Sequence, residues 1–364
     1  MQSESAVSVF TDFNRTVSAL RAAYVCIVGA GAAVIAIASE LWVTDCKVLL
    51  VKSGNRRFNR RTQKLYAGEN AGLPSFSTES SRFRMFGGST TQWGGKLRPL
   101  DEVDFEQRRG VPLSGWPFSR SMLDPWYRRA QSFCNLAGDF DLANWSASNG
   151  GPLPIDSKRL STQVYRFLYP SDLGVLYADR LAEADNVDVL LNGNLTHLAL
   201  DPSGNRVKEL TIRSLTGQTQ RIEAKAVVLA CGGIENPRLL LASNDVAKNG
   251  IGNGYDVVGR YFMDHPMAIV GRFAPASAQF DHNYYTIEDY NDVGIGQKMH
   301  AGLTLSEDLV RSEELNQCAL YMVRRPYYKT TAEYYATSGT ALNYLVYMFR
   351  RKAALDRARK ETLG

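Results

Sequence analysis

The sequence has few histidines and cysteines, and they are scattered along the chain. It has four histidines and five cysteines, and no pair of cysteines forms a CxxC motif. An odd number of isolated cysteines supports neither a zinc site nor a disulfide framework. We therefore expect no metal, and free thiols in a reducing compartment, which predicts a cytoplasmic location. The cysteines are Cys26, Cys46, Cys134, Cys231 and Cys318.

The sequence also lacks a strong excess of charge. It has 42 basic and 37 acidic residues, a net charge of +5. A nucleic-acid-binding protein usually concentrates its positive charge in a stripe or on one face, and the dense basic stretch here is confined to residues 350–360. We expect no nucleic-acid partner.

No apolar run reaches the length of about 20 residues that a membrane-spanning helix needs. The best candidate, residues 24–43, contains Gly29, Gly31 and Glu40. It divides into a strand at 24–28, a glycine turn and an alanine-rich helix at 32–41. Residues 1–20 lack an apolar core and predict a polar extension without a secretory signal. The sequence thus predicts no transmembrane segment.

The remaining pattern predicts a mixed α/β protein. The apolar fraction of 45% and the charged fraction of 22% are ordinary globular values. A second strand at 47–51 completes a βαβ unit with parallel strands. Strand 197–200 is expected to continue the sheet of strand 187–191, and the apolar strand 226–230 to be central in a parallel sheet. We further expect helices at 121–136, 176–184, 236–242 and 341–360, paired antiparallel strands at 207–213 and 219–222, and an antiparallel sheet beyond residue 266.

The glycine turn between the first strand and helix is typical of a dinucleotide site. Gly29 would make the tight turn, and Gly31 would let the backbone approach a pyrophosphate at the helix N-terminus. Val34 stands where a third glycine would allow close packing, and Lys52 stands where an acidic residue would end the second strand. A βαβ unit that binds nothing remains the alternative.

Two further segments have the composition of a ligand site. Residues 87–95 include four glycines, three hydroxyl residues and Trp93. Their amides and hydroxyls suit a polar ring, which Trp93 could cover. Residues 227–241 form a strand ending in small residues, followed by a helix, and a ligand can lie across such a strand end. The alternatives are a structural turn for 87–95 and a ligand-free buried strand and helix for 227–241.

Together these segments resemble the glucose-methanol-choline (GMC) family of flavin oxidoreductases, most closely its sugar-oxidising branch near pyranose and glycoside 3-oxidases. The resemblance covers residues 22–270 in order. It implies an α/β fold: a Rossmann-like FAD-binding domain of GMC type and an antiparallel-sheet substrate domain, incomplete at the C-terminus. The segments that carry it are 51–54, 87–95, 98–100, 104–106, 114–117, 228–241 and 259–266. The implied domains are an extension at 1–20, an FAD-binding domain at 21–137 and 186–265, and a partial substrate domain at 138–185 and 266–364.

The resemblance also implies which residues would hold FAD. Gly29, Gly31 and Ala32 would face the pyrophosphate. The isoalloxazine would be lined by Gly88, Ser89, Thr90, Trp93, Gly94 and Gly95. The adenine end would lie beside Leu195, Thr196, Ala230 and Gly232. Some pyranose oxidases bond the flavin to a histidine where this chain has Gln92, so FAD is expected to be non-covalent.

The implied activity is oxidation of a sugar or alcohol hydroxyl by hydride transfer to FAD, with a histidine as base. The catalytic residues stay unknown, because His197 and His265 fall in non-catalytic segments and His282 and His300 in no motif. Val34 would overpack the contact between helix and strand, and Lys52 cannot accept hydrogen bonds from ribose hydroxyls, so we expect weak FAD binding or none. The first alternative is a truncated or degenerate homologue without catalytic activity, present as a homo-oligomer or with a complementing partner chain. The second is a peripheral membrane protein that uses helix 341–360.

Overall fold

The computed structural model describes residues 10–15, 23–71, 77–136, 152–265 and 299–322, together with 140, 268, 270, 271 and 285. The strands are β1 (Phe10–Asp12), β2 (Ala23–Val28), β3 (Val48–Lys52), β4 (Lys96–Leu97), β5 (Leu160–Phe167), β6 (Val187–Leu191), β7 (Asn194–Leu200), β8 (Val207–Arg213), β9 (Thr219–Ile222), β10 (Ala224–Leu229), β11 (Met299–Leu305) and β12 (Ala319–Leu320). The α-helices are α1 (Ala32–Leu41), α2 (Arg60–Gln63), α3 (Asp124–Phe133), α4 (Leu173–Glu183), α5 (Glu235–Ala242) and α6 (Glu307–Ser312).

The centre of the fold is a five-stranded parallel sheet in the order β1-β6-β3-β2-β10. Val25 of β2 pairs with Val48 of β3, and Val48 pairs in turn with Val187 of β6. Every residue of β3 is buried, as expected of a strand that is covered on both faces. The predicted βαβ unit is therefore confirmed, and helix α1 has the predicted bounds.

Two layers cover the faces of this sheet. On one face, α1 and α4 pack against side chains such as Ile27, Leu50 and Val189. On the other, the antiparallel sheet β7-β8-β9 packs against the alternate side chains, including Cys26 and Leu49. Successive side chains of a strand point to opposite faces, so the apolar runs of β2, β3 and β6 supply both cores.

Two predictions about this sheet are wrong in detail. Strand β7 does not continue the sheet of β6, because it leaves the parallel sheet and pairs antiparallel with β8. Strand β10 ends the sheet instead of lying at its centre: among the described residues it pairs with β2 alone, and its side chains are exposed or half-buried. Its apolar composition reflects partial packing against both cores.

The predicted polar extension at 1–20 misses strand β1. Phe10 pairs with Val189 of β6, and Phe13 is fully buried in the core next to the β7-β8-β9 sheet. The sequence signal was weak because β1 has three residues, with Asp12 at its end.

A second, antiparallel sheet follows the order β12-β11-β5-β4. Strand β11 pairs along its length with β5, from Met299 opposite Arg166 to Leu305 opposite Leu160. Strand β4 directly follows Gly95, so this sheet starts where the glycine loop ends. Helix α4 lies within the segment 138–185 predicted for the substrate domain, but it packs on α1 in the core of the parallel sheet.

The helix predicted at 341–360 lies outside the described residues. Within the described part of the chain, no helix has both the length and the apolar character needed to cross a bilayer. Over the same residues, no group of three His, Cys, Asp or Glu side chains is placed to hold a metal ion.

Candidate functional site

The carboxyl edge of the parallel sheet brings the first and last predicted segments together. The amide of Ala230 donates to the carbonyl of Val28 at 2.9 Å. Gly29 has a φ of +125°, and a Cβ there would collide with the carbonyl of Ala230, so this turn requires glycine. Asn236 of α5 fixes the other side, accepting from the Cys231 amide at 2.8 Å and donating to the Leu229 carbonyl at 3.1 Å.

The glycine loop crosses directly over the first turn. Gly88 has a φ of +57°, and a Cβ added to it would lie 2.9 Å from the Cα of Gly31. A Cβ on Gly31 itself would meet nothing within 4 Å, and the same holds for Gly94 and Gly232. The backbones of Gly31 and Gly88 therefore touch while Gly31 also borders open space. That combination is what a nucleotide pyrophosphate at the start of α1 needs.

Two loop side chains predicted to face the flavin, Thr90 and Trp93, form hydrogen bonds within the protein. Thr90 donates to the Gly87 carbonyl at 2.6 Å and accepts from the Leu173 amide at 3.2 Å. The Trp93 indole donates to the Ser171 carbonyl at 2.6 Å. These bonds tie the loop to the N-terminus of α4. Contacts of Trp93, the exposed Ser89, Gly94 and Gly95 with a flavin stay predictions.

The predicted adenine segment is split between core and surface. The Leu195 side chain is buried among the residues beneath the parallel sheet, whereas Thr196 is exposed. Thr196 lies at a register shift between β7 and β8, so it stands outside the regular ladder. The neighbouring Asn194 accepts from the Ser53 hydroxyl at 2.7 Å, which connects this segment to the end of β3.

The carboxyl end of β3 is surrounded by a buried charged cluster that we call the strand-end cluster: Lys52, Ser53, Arg82, Arg84 and Glu235. Arg84 donates to the Ser53 hydroxyl at 2.7 Å and to Glu235 at 2.8 Å. Arg82 donates to the other Glu235 oxygen at 3.1 Å. Both guanidinium groups lie over the Tyr66 ring, 3.9 and 4.1 Å from its centroid. The cluster joins distant segments of the chain, since Arg84 and Glu235 lie 151 residues apart in the sequence.

Arg84 and Glu235 were not predicted as site residues from the sequence. A signal was present, because Arg82 and Arg84 lie within five residues before the glycine loop and Glu235 lies two residues after Gly233. Each of these positions lies at the same sheet edge as Lys52. Nothing local in the sequence indicates that one carboxylate is shared by the two arginines.

Burial changes the titration of Lys52. Desolvation is the largest cause and lowers the pKa of Lys52 from 10.5 to about 8, with Arg84 acting in the same direction and Cys231 and Glu235 opposing it. Loss of water disfavours the charged form of a lysine. The strand end therefore holds an ammonium group whose charge the fold does not fully compensate.

We expect Lys52→Met to stabilise the protein at pH 7 but not at pH 10. The folded-state pKa of Lys52 lies below its unfolded value, so the unfolded state binds more protons between the two and stability rises with pH in that window. Removing the amine should raise the free energy of unfolding at pH 7 by up to about 3 kcal/mol. Urea unfolding at both pH values measures this, with the exposed Lys47→Met as control. An equal gain at pH 7 and pH 10 would contradict the assignment.

A second group of polar and aromatic side chains lies on the antiparallel sheet. The ammonium of Lys96 is 3.5 Å from the centroid of the Tyr321 ring and 5.1 Å from that of Tyr165. His300 is buried beside these rings, and its Nδ1 has no hydrogen-bond partner. Desolvation, with a smaller effect of Lys96, lowers the pKa of His300 to about 4. His300 is therefore neutral at pH 7.

The other histidines are placed differently. His197 interacts with Asp245 at 3.3 Å, and His265 is exposed. His282 lies outside the described residues. Among the described histidines, His300 has a buried ring nitrogen without a hydrogen-bond partner. The sequence alone did not set His300 apart from the other histidines.

The close contact between Gly88 and Gly31 should not tolerate a side chain at position 88. Gly88→Ala places a methyl group 2.9 Å from the Gly31 Cα at a φ of +57°, and strain of this kind costs about 1–3 kcal/mol. We expect a lower melting temperature and weaker nucleotide binding, measured by calorimetry and ligand titration. The matched control is Gly254→Ala, which lies outside the predicted flavin site and whose methyl group meets nothing within 4 Å. Equal effects of the two variants would show that the crossing is not tight.

Comparison with known proteins provides a family for part of this structure. Residues 175–267 match the family model described as GMC oxidoreductase. The fructose dehydrogenase large subunit of Gluconobacter japonicus is 38% identical over 92 residues, 25% of this chain and 17% of that protein. The 2-methyl-1,2-propanediol dehydrogenase of Mycolicibacterium austroafricanum is 24% identical over 227 residues, 50% of this chain and 41% of that protein. The chain thus spans less than half the length of either relative.

Solved structures align partially as well. Pyridoxine 4-oxidase from Mesorbium loti aligns with a TM-score of 0.40 and 18% identity, over 61% of this chain and 52% of that one. A fungal aryl-alcohol oxidase aligns with a TM-score of 0.42 and 16% identity, over 62% and 48%. The family match at 175–267 covers α4, β10 and α5, the elements that border the glycine turns. Over residues 175–267 the chain is similar to the GMC oxidoreductase family.

Proposed function

We propose that the chain is the FAD-binding part of an oxidoreductase that oxidises a hydroxyl group of a sugar or alcohol. One observation carries this proposal. The family match includes β10 and α5, which close the sheet edge against Gly29, and Gly88 meets Gly31 at that edge. The named relatives act on fructose and on a diol, which supports a polyhydroxy substrate of small size.

The described residues fit one part of FAD and not another. The glycine backbones at 29–31 and 88 suit the pyrophosphate, since backbone amides and the N-terminus of α1 favour an anion there. The ribose end fits poorly, because Lys52 occupies the place from which a carboxylate would accept the ribose hydroxyls. Non-covalent binding is part of the proposal, since Gln92 cannot form the histidine linkage. Bound FAD would supply the hydride acceptor.

The antiparallel sheet is the proposed substrate side. It begins at Lys96, one residue after the glycine loop, and it carries the aromatic rings of Tyr165 and Tyr321 with the neutral His300. Rings of this kind bury the apolar face of a sugar, and a neutral imidazole can accept a proton. His300 is the described residue to examine first as a base, although its pKa of about 4 makes it a weak one.

The test is anaerobic reduction of the flavin in the FAD-loaded chain. We expect at least one member of a panel of pyranoses, fructose and simple diols to bleach the flavin absorption. Dithionite serves as the control that bound flavin is reducible. If FAD binds and no member of the panel bleaches it, the second candidate applies: a non-catalytic homologue, which Lys52 favours. If FAD does not bind at all, the proposal fails.

A further inference from the structure

The strand-end cluster holds more positive charge than its one carboxylate can balance. Glu235 is buried, and one of its oxygens accepts from Arg82 while the other accepts from Arg84 at 2.8 Å and from Arg238 at 2.9 Å. Both oxygens are therefore fully engaged by three guanidinium groups. Glu235 is the carboxylate that acts on Lys52 among the described residues.

Lys52 completes this excess of charge. Its side chain is 6% exposed, and it forms no hydrogen bond or ion pair with any residue that the structure describes. Arg84 adds a second unused donor, because its Nε is buried without a partner. Buried cations are normally paired, so two unused cationic donors at one strand end indicate a place for an anion.

The position of the cluster identifies the kind of anion. In a βαβ nucleotide site the end of the second strand lies beside the ribose of the nucleotide whose pyrophosphate sits on the first turn. An acidic residue there accepts the hydroxyls of an unmodified ribose, whereas a basic residue accommodates a phosphate on it. Lys52 is the last residue of β3, and β3 pairs with β2, which leads into Gly29.

We propose that Lys52, Arg82 and Arg84 form an anion site that takes a phosphate group beside the ribose of a nucleotide bound at the glycine turns. This inference rests on the proposed nucleotide crevice. The phosphate has two possible sources. It is either esterified to the ribose, as in a 2′-phosphorylated dinucleotide, or a free phosphate ion that lies between Lys52 and the ribose hydroxyls of FAD and supplies the missing acceptor oxygens.

Two titrations of the full-length chain separate these sources. The first compares NADPH with NADH by nucleotide fluorescence. The second measures FAD binding by flavin fluorescence in a phosphate-free buffer and again after inorganic phosphate is added. A hydrogen bond to a charged group corresponds to about ten- to a hundredfold in affinity. We expect a preference of that size for NADPH if the phosphate is esterified, or a gain of that size for FAD if it is free.

The variant Lys52→Met decides whether the cluster is responsible. It removes the ammonium and keeps an unbranched side chain, and we expect it to abolish whichever preference the unaltered chain shows. The exposed Lys47→Met should leave the preference intact. The proposal is overturned if neither titration shows a preference, or if the preference survives in Lys52→Met.

The variant Lys52→Glu separates a wrong anion site from a wrong proposed function. Lys52→Glu supplies a carboxylate and needs no phosphate, so its FAD binding tests the crevice alone. If Lys52→Glu binds FAD while the unaltered chain shows no phosphate preference, the anion site is wrong and the crevice stands. If Lys52→Glu does not bind FAD, the proposed function is wrong.

Discussion

Lys52→Glu is expected to bind FAD about ten- to a hundredfold more tightly than the unaltered chain. The introduced carboxylate can accept the ribose hydroxyls, which an ammonium group cannot do. Arg84 and Arg82 lie in the same cluster and would stabilise the new negative charge. The measurement is a titration of flavin fluorescence in phosphate-free buffer, at equal protein concentrations.

The control for this prediction is Lys47→Glu, which makes the same charge change at an exposed position just before β3. It should leave FAD affinity unchanged. Equal affinity of Lys52→Glu and the unaltered chain would mean that the end of β3 does not contact the ribose. The predicted cause of weak binding would then be wrong.

Glu235→Gln is expected to lower the free energy of unfolding by about 3–5 kcal/mol, the usual cost of removing one partner from a buried ion pair. The glutamine keeps the shape but leaves Arg82, Arg84 and Lys52 without a buried negative charge. Urea unfolding followed by circular dichroism measures the change.

Glu40→Gln is the matched control, since Glu40 pairs with Arg129 on the surface and both side chains are more than half exposed. Exposed pairs contribute about 0–1 kcal/mol. If the two variants lose the same stability, Glu235 does not neutralise a buried cluster. A large loss of stability in Glu235→Gln alone supports the role of Glu235 in neutralising the cluster.

Local patterns were enough to predict the centre of the fold. The β-branched run before Gly29 and the alanine-rich run after Gly31 predict β2 and α1, and the structure has α1 at Ala32–Leu41 as expected. Strands β8 and β9 also have the predicted bounds, 207–213 and 219–222. Each of these elements is specified by its own period of apolar residues.

Features that depend on distant segments were not predictable in this way. The edge position of β10 depends on which strands pair with it, and apolar composition alone favoured the centre. The strand-end cluster depends on Arg84 meeting Glu235 across the sheet edge. The sequence showed that Lys52 departs from an acidic residue, but not that the surrounding charges are mainly positive.

The nucleotide crevice between the turns at Gly29–Gly31 and Gly88 is tested by the visible absorption of Lys52→Glu after incubation with excess FAD and gel filtration. We expect flavin to elute with the protein at one equivalent per chain, to be lost when Gly88→Ala is added and to remain when Gly254→Ala is added. Protein that elutes colourless, or flavin retained equally by both double variants, would contradict the proposed crevice.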